Sequence, residues 1–269
     1  MKISKHAKEL LEDLDLYSLP VKPKEVCKKL KITYDEQPYS GFDGLLLVDG
    51  ENQLIGVSSN IVEETRKTFT CAHELGHYYY DLTKDGLIKC NRDDLGYGKQ
   101  QLNEIEKRAN QFASELLLPS EFFLTDIKDK LPSWELIQKL TLKYETSLQA
   151  TVSRYVNLTH HTCWLIVGKG GRLQRFVKAD YNEFLVDLNS PYKPPKSKTS
   201  DWITVSADNW LYANRRTTGK ELLLWPLPEN QYGESLILAW DEGDSLQEGE
   251  YDSDENWDDD DDNGDRFSF

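Results

Sequence analysis

The segment TCAHELGHYYY, residues 70–80, contains two histidines and a glutamate at a spacing that suits metal chemistry. On an α-helix, His73 and His77 would lie one turn apart on the same face, so both rings could bind one zinc ion. Glu74 would lie about a third of a turn from His73, where a carboxylate can act as a base on water beside the ion. The alternative is a core helix whose histidines are satisfied by hydrogen bonds, because a short HExxH pattern also recurs by chance.

A catalytic zinc ion needs a third protein ligand and one open position. The segment NEIEKRANQFASELLLP, residues 103–119, has the apolar spacing of an amphipathic helix and offers Glu104, Glu106 and Glu115. At about 100° per residue, Glu104 and Glu115 share one polar stripe, whereas Glu106 lies beside Ala109 on the semi-buried face. A buried carboxylate is costly unless it is paired or metal-bound, so Glu106 is the predicted third ligand. A salt bridge to a Lys or Arg is the alternative for Glu106, and Glu104 is the second candidate.

The same segments resemble a known family. FTCAHELGHYYY, followed by EKRANQFASELLLP and then SLQATVSR, resembles the ImmA/IrrE family of metallo-endopeptidases, and the resemblance extends over residues 5–158. One departure from the family pattern is Asp81, where many members have a histidine. The resemblance implies three zinc ligands and one catalytic base: His73, His77 and Glu106 as ligands, and Glu74 as the base.

The resemblance also implies a substrate and a domain organisation. Members of this family are expected to cleave a helix-turn-helix transcriptional repressor and so relieve repression of stress, prophage or mobile-element genes. Their carboxy-terminal domain is often a GAF-like sensor. Two alternatives are a general zinc peptidase for small peptides and a non-cutting, zinc-containing regulatory or antitoxin-like partner of a DNA-binding protein. The presence of Glu74 favours cleavage, because a purely structural zinc ion would not need it.

Several helices must position these residues. Apolar spacing predicts a helix over residues 4–14 and another from Pro23 to Leu30, and the motif helix is predicted from Val62 to Asp81. Two apolar runs separated by Asp49-Gly50 predict a hairpin between the second and third helices. A segment rich in Gly, Asp, Lys and Asn predicts a long loop over residues 82–102. Three more helices are predicted after the 103–119 segment, in SEFFLTDIKDKL, PSWELIQKLTLKY and SLQATVSRYVNL.

After Leu158 the pattern changes to short strands: TCWLIVG, LQRFV, DWITV, ELLLW and SLILAW. The GKGG sequence at residues 168–171 is predicted to be a hairpin turn, and the tryptophans among these strands are predicted to lie in a core. The fold class is therefore α+β. Three regions are predicted: a mainly helical, zincin-like metallopeptidase domain with a small sheet (1–159), a strand-rich regulatory or sensor domain (160–240), and a disordered acidic tail (241–269).

Composition places the protein in water, with a mean hydropathy of -0.64. The last 29 residues contain 14 of the 47 acidic and one of the 32 basic residues, so most of the net charge of -15 lies in the tail. A tail of this sign disfavours direct binding to nucleic acid, and a docking role on a basic partner is the alternative to simple solubility. Four scattered cysteines, no signal peptide and no apolar run of membrane-spanning length predict a cytoplasmic protein. The sequence specifies no oligomeric state.

Two further questions concern the chemistry. Cys90 lies in the predicted loop between the two motif helices, where a thiolate could fill the open zinc position and keep the enzyme latent. An ordinary loop cysteine is the favoured interpretation. The residue that stabilises the oxyanion is not singled out, because a packing or surface role is the better interpretation of each candidate: Tyr78, Tyr79, Tyr80, His160 and His161.

Overall fold

The computed structural model describes residues 3–81, 85–90, 104–195, 201–212, 220–230 and 232–242. These residues form seven α-helices and two sheets, so the mixed α+β class is confirmed. The chain divides into two compact units between Tyr155 and Val156, inside the last helix. Among the helices of the described ranges, none is long and apolar enough to cross a membrane.

The first unit contains the helices that the sequence predicts, with ends that shift by a few residues. Ser133 begins one of them as a cap, because its side chain accepts a hydrogen bond from the backbone N–H of Leu136. Pro23 begins another at its first turn, where a missing N–H costs nothing. The helices are α1 (Ile3–Asp13), α2 (Pro23–Lys29), α3 (Glu64–Tyr80), α4 (Glu104–Leu117), α5 (Ser120–Ile127), α6 (Trp134–Tyr144) and α7 (Leu148–Leu158).

A four-stranded sheet packs beside α3. Its strands are β1 (Thr33–Gln37), β2 (Gly44–Asp49), β3 (Asn52–Ser58) and β4 (Asp85–Cys90), in the spatial order β1-β3-β2-β4. The β2–β3 pair is the predicted hairpin, and Gly50 adopts a positive φ of 57° at its turn. β1 pairs in parallel with β3, and β4 pairs antiparallel with β2.

The predicted loop over residues 82–102 is wrong for residues 85–90, which form β4. β1 was not predicted either. Both strands lie at the edges of the sheet and contain charged or polar residues, so neither shows the continuous apolar run of an inner strand. The remainder of the predicted loop lies outside the described residues.

Close packing between α3 and α4 sets the distance between the two motif helices. Gly76 of α3 faces Ala109 of α4, and a Cβ atom at Gly76 would lie 2.9 Å from the Cα and 3.0 Å from the carbonyl oxygen of Ala109. Backbone rather than a flexible side chain fills this space. The glycine within the motif therefore allows the helices to approach closely enough for side chains of both to share one site.

Gly76→Ala is expected to lower the free energy of unfolding by about 1–3 kcal/mol, because the added methyl group would push α4 away. Alanine is the better helix former by about 1 kcal/mol, so intrinsic propensity alone predicts the opposite sign. Denaturant unfolding of the full chain measures the change. Leu142→Ala, at a side chain that is 79% exposed on α6, is the control and should change stability by less than about 0.5 kcal/mol. A stabilised Gly76→Ala protein would contradict the close-packing argument.

The second unit is built on a five-stranded antiparallel sheet with the order β6-β5-β9-β8-β7. Its core includes Trp164 and Trp210, and the indole N–H of Trp164 donates to the carbonyl oxygen of Phe184 at 3.1 Å. The GKGG segment is the turn of the first hairpin, as predicted, with positive φ at Gly170 and Gly171. The strands are β5 (Cys163–Lys169), β6 (Arg172–Lys178), β7 (Ile203–Ser206), β8 (Glu221–Pro226) and β9 (Glu234–Trp240), each within a predicted segment or overlapping it. The predicted disordered tail lies outside the described residues from residue 243 onward.

Candidate metal centre

Three elements bring four potential metal ligands together. His73 and His77 lie one turn apart on α3, with their rings edge to face and their centroids 4.6 Å apart. Glu106 comes from the first turn of α4, and Cys90 is the last residue of β4. The two histidines and Cys90 are fully buried, and one donor atom from each of the four residues lies within 4.8 Å of the others.

The distances within this cluster fit a single small cation. Nε2 of His73 lies 2.9 Å from Nε2 of His77, and Oε2 of Glu106 lies 3.1 Å from the first nitrogen and 3.4 Å from the second. Donor atoms bound tetrahedrally to one zinc ion, with bonds of about 2.0–2.1 Å, lie about 3.3 Å apart. Sγ of Cys90 is 3.3 Å from Nε2 of His77 and 4.0 Å from Oε2 of Glu106. Two imidazoles, a carboxylate and a thiol are also the ligand types that zinc prefers.

The hydrogen bonds on the far side of each ring fix the tautomers. Nδ1 of His73 donates to Oδ1 of Asn110 at 2.9 Å, and Nδ1 of His77 donates to Oδ2 of Asp81 at 2.9 Å, since an amide or carboxylate oxygen can only accept. In neutral rings, each Nε2 atom then presents a lone pair toward the other and toward Glu106. These three electron-rich atoms repel one another unless a proton or a metal ion lies among them.

The pKa values of the three residues in the cluster shift in different ways. Burial opposes ionisation of Glu106, but hydrogen bonds with His73 and His77 outweigh burial and lower the Glu106 pKa to about 2. Burial lowers the pKa of His73. Burial also works against a charged His77, yet the hydrogen bond to Glu106 and the negative charge of Glu74 together raise the His77 pKa. The shifts of Glu106 and His77 favour a positive charge between them, whereas burial opposes a proton on His73.

Glu74, the predicted base, is fully buried on α3. Its carboxylate lies directly beneath Gly44, the first residue of β2, because a Cβ atom at Gly44 would collide with Oε1 of Glu74 and would lie 2.6 Å from Cγ2 of Thr70. The strand partner of Gly44 is Cys90. Glu74 therefore lies where the sheet meets the cluster, and a glycine in β2 leaves the space that its carboxylate occupies.

Glu104 and Glu115, the other glutamates of α4, are used elsewhere. The side chain of Glu104 is 86% exposed and pairs with Lys107 at 2.8 Å. Glu115 pairs with the buried Arg154 at 2.6 Å. Of the three glutamates, the structure places Glu106 beside the histidines. This agrees with its predicted position on the semi-buried face of the helix.

Asp81 and Asn110 are positioning residues that sequence reasoning missed. Asp81 caps the end of α3, holds the ring of His77 and pairs with Arg108 on α4. The guanidinium of Arg108 lies 5.4 Å from the ring centre of Tyr80. A signal was present in the sequence, since Asp81 follows His77 by four residues and Asn110 follows Glu106 by four. Asp81, where the sequence departs from the resemblance noted above, therefore has a defined contact.

Asp81→Ala is expected to weaken zinc binding by about 10–100-fold, because the ring of His77 loses the acceptor that fixes its tautomer and orientation. Competition with a chromophoric chelator measures the dissociation constant. Glu64→Ala on the same helix, at a side chain that is 75% exposed, should leave the constant unchanged. Equal affinities for the two variants would mean that helix packing alone holds the His77 ring.

Two of the five predicted oxyanion candidates, Tyr79 and Tyr80, make packing contacts within the first unit. Tyr80 forms a hydrogen bond between its hydroxyl group and Nδ1 of His6 at 2.7 Å, and Tyr79 stacks on Phe112 with ring centres 5.6 Å apart. Both residues therefore have packing roles. Tyr78 is partly buried on α3, and His160 and His161 belong to the second unit.

Comparison with known proteins finds a family model that matches most of the first unit. No curated protein matches the chain. A solved structure of a Mycobacterium tuberculosis transcriptional regulator is similar in fold, with a TM-score of 0.54 and 9% identity over 89% of this chain and 87% of that chain. The model of the IrrE N-terminal-like domain, a peptidase family, matches residues 27–155, a range that contains the whole cluster and Glu74. This match places residues 27–155, a metallopeptidase-like domain of just under half of the chain, in the ImmA/IrrE family.

Proposed function

We propose that the protein is a zinc-dependent endopeptidase with His73, His77 and Glu106 as metal ligands and Glu74 as the catalytic base. The observation that carries this proposal is the position of two Nε2 atoms beside one carboxylate oxygen, at 3.1 and 3.4 Å. A buried acid, Glu74, lies one residue after the first histidine. This combination suits hydrolysis better than a structural metal site, which does not need a base.

The chain's own residues account for the proton transfers. When bound, zinc supplies a Lewis acid that polarises a peptide carbonyl and makes water acidic enough to attack near neutral pH. Glu74 accepts the proton of the attacking water on its carboxylate and donates it to the amine nitrogen of the leaving group. Burial beneath Gly44 keeps this carboxylate away from bulk solvent. The proton therefore moves from the attacking water to the leaving amine and is not lost to solvent.

A helix-turn-helix transcriptional repressor is the proposed substrate, by analogy with the family. Its cleavage would relieve repression of stress, prophage or mobile-element genes. The strand-rich second unit is the proposed regulatory domain, of GAF-like type. The proposed compartment is the cytoplasm, because all four cysteines are free although Sγ of Cys27 and Sγ of Cys71 are only 3.8 Å apart.

The experiment compares newly formed protein amino termini in host cells that express the wild type, Glu74→Gln or Glu104→Gln, with and without DNA damage. We expect a new terminus inside a DNA-binding repressor with the wild type and with Glu104→Gln, and none with Glu74→Gln. Identical profiles for all three proteins under both conditions would reject cleavage. They would favour the non-cutting zinc-containing partner of a DNA-binding protein.

A further inference from the structure

We propose that β4 is an internal pseudosubstrate: it occupies the place beside β2 where a peptide substrate binds, and it provides the Cys90 thiolate as a fourth metal ligand. The inference rests on the proposed peptidase function and adds to it a mode of substrate binding and a latent state. Three observations support it: the pairing of β4, the position of Cys90, and the exposure of Leu87 and Lys89.

β4 closes one edge of β2. The two strands pair antiparallel over six residues, from Gly44 opposite Cys90 to Asp49 opposite Asp85. The other edge of β2 is paired with β3. β4 therefore uses the backbone groups of β2 that would otherwise be open to an extended peptide, and an open strand edge beside a catalytic site is a common place for peptide recognition.

The register of this pairing places Cys90 at the chemistry. Gly44, its partner in β2, lies against the carboxylate of Glu74, and Sγ of Cys90 is 3.3 Å from Nε2 of His77. The backbone N–H of Asp43 donates to the carbonyl oxygen of Cys90 at 2.8 Å and anchors this end of the strand. A peptide bond that is to be cut must lie beside the same glutamate and the same imidazole, so Cys90 and a substrate cannot occupy the site together.

Cys90 also completes a four-ligand set. Structural zinc sites have four protein ligands, whereas catalytic sites keep one position open. With two histidines, Glu106 and a thiolate, the site is of the closed kind, and displacement of Cys90 would convert it to the open kind. The closed and the open site would therefore differ only in whether Cys90 is bound.

Apart from Cys90, the described side chains of β4 bury little apolar surface, since Ile88 is only partly buried. Leu87 is 52% exposed and Lys89 is also exposed, so Cys90 is the one residue of β4 that is buried among those whose side chains are described. An edge strand with little buried apolar surface is easily displaced. An extended segment of the substrate would therefore bind antiparallel to β2 in place of β4, and the substrate class is an unfolded or locally extended peptide rather than a folded helix.

Cobalt(II) substitution tests the thiolate ligand without relying on activity. In the full chain loaded with cobalt(II), we expect a near-ultraviolet thiolate-to-cobalt charge-transfer band in the wild type. Cys163→Ser should retain the band, since Cys163 lies in β5 of the second unit. Cys90→Ser, and Cys90→Ala as a second variant, should lose it. A band that persists in both Cys90 variants, or is missing from the wild type, overturns the inference.

Cleavage of an unstructured protein such as casein by the zinc-loaded proteins tests the pseudosubstrate role. Cys90→Ser is expected to cleave at least about tenfold faster than the wild type and Cys163→Ser, because a larger fraction of molecules has an open site. Equal rates, together with loss of the cobalt band, would overturn the pseudosubstrate role and leave the peptidase function intact. If none of these proteins cleaves casein or the repressor found in the host-cell comparison, although the band depends on Cys90, the proposed function itself fails, and Cys90 is then the fourth ligand of a structural metal.

Discussion

Glu74→Gln is expected to lower kcat/KM for peptide cleavage by about 10²–10⁴-fold while the protein keeps its zinc. The amide has nearly the shape of the carboxylate and fits the same space beneath Gly44, so the fold and the three ligands should remain in place. What the variant loses is the ability to accept a proton from water. The measurement is the cleavage rate of the repressor found in the host-cell comparison, together with the metal content of the purified protein.

Glu104→Gln is the matched control for this prediction, because it makes the same chemical change at an exposed residue of α4. Its cleavage rate should equal that of the wild type. A Glu74→Gln protein that cuts at the wild-type rate would exclude Glu74 as the base. A variant that loses zinc as well as activity would show instead that Glu74 maintains the site, and the kinetic result would then carry no information about proton transfer.

The helical part of the site could be predicted because its geometry is local. His73 and His77 share a face of α3 through their four-residue spacing, and the 100° rotation per residue separates Glu106 from Glu104 on α4. Both arguments need only one helix at a time. The distance between the two helices is a property of packing, and the contact of Gly76 with Ala109 involves both helices at once.

The sequence offered Cys90 as a possible zinc ligand, but its contact with the histidines through the sheet could not be predicted from one element alone. Cys90 reaches the histidines because β4 pairs with β2 in a register that places it opposite Gly44, and strand pairing joins residues that are far apart in the chain. The segment DGLIKC is short and half exposed, so its sequence resembles a loop. Asp81 and Asn110 were missed for a related reason, since a partner on the far side of a ligand ring becomes visible only when the ring orientation is known.

Glu106→Gln is expected to weaken zinc binding by more than about 100-fold, because loss of a direct ligand should exceed the loss of a residue that only orients one. Glu104→Gln, two residues earlier on the same helix, should leave the affinity unchanged. The N–H groups of the new amide can donate to the Nε2 lone pairs of the two histidines, so the variant should fold.

Chelator competition measures these affinities, and the rise in melting temperature on addition of zinc gives an independent value, since a ligand stabilises the folded state by RT ln(1 + [L]/Kd). Wild-type affinity in the Glu106→Gln protein would contradict the assignment and would leave Cys90 as the third ligand beside His73 and His77. In that arrangement Cys90→Ser should weaken zinc binding more than Glu106→Gln does. With Glu106 as the third ligand, Cys90 only fills the position that the substrate needs. Glu106→Gln should then weaken zinc binding more than Cys90→Ser does.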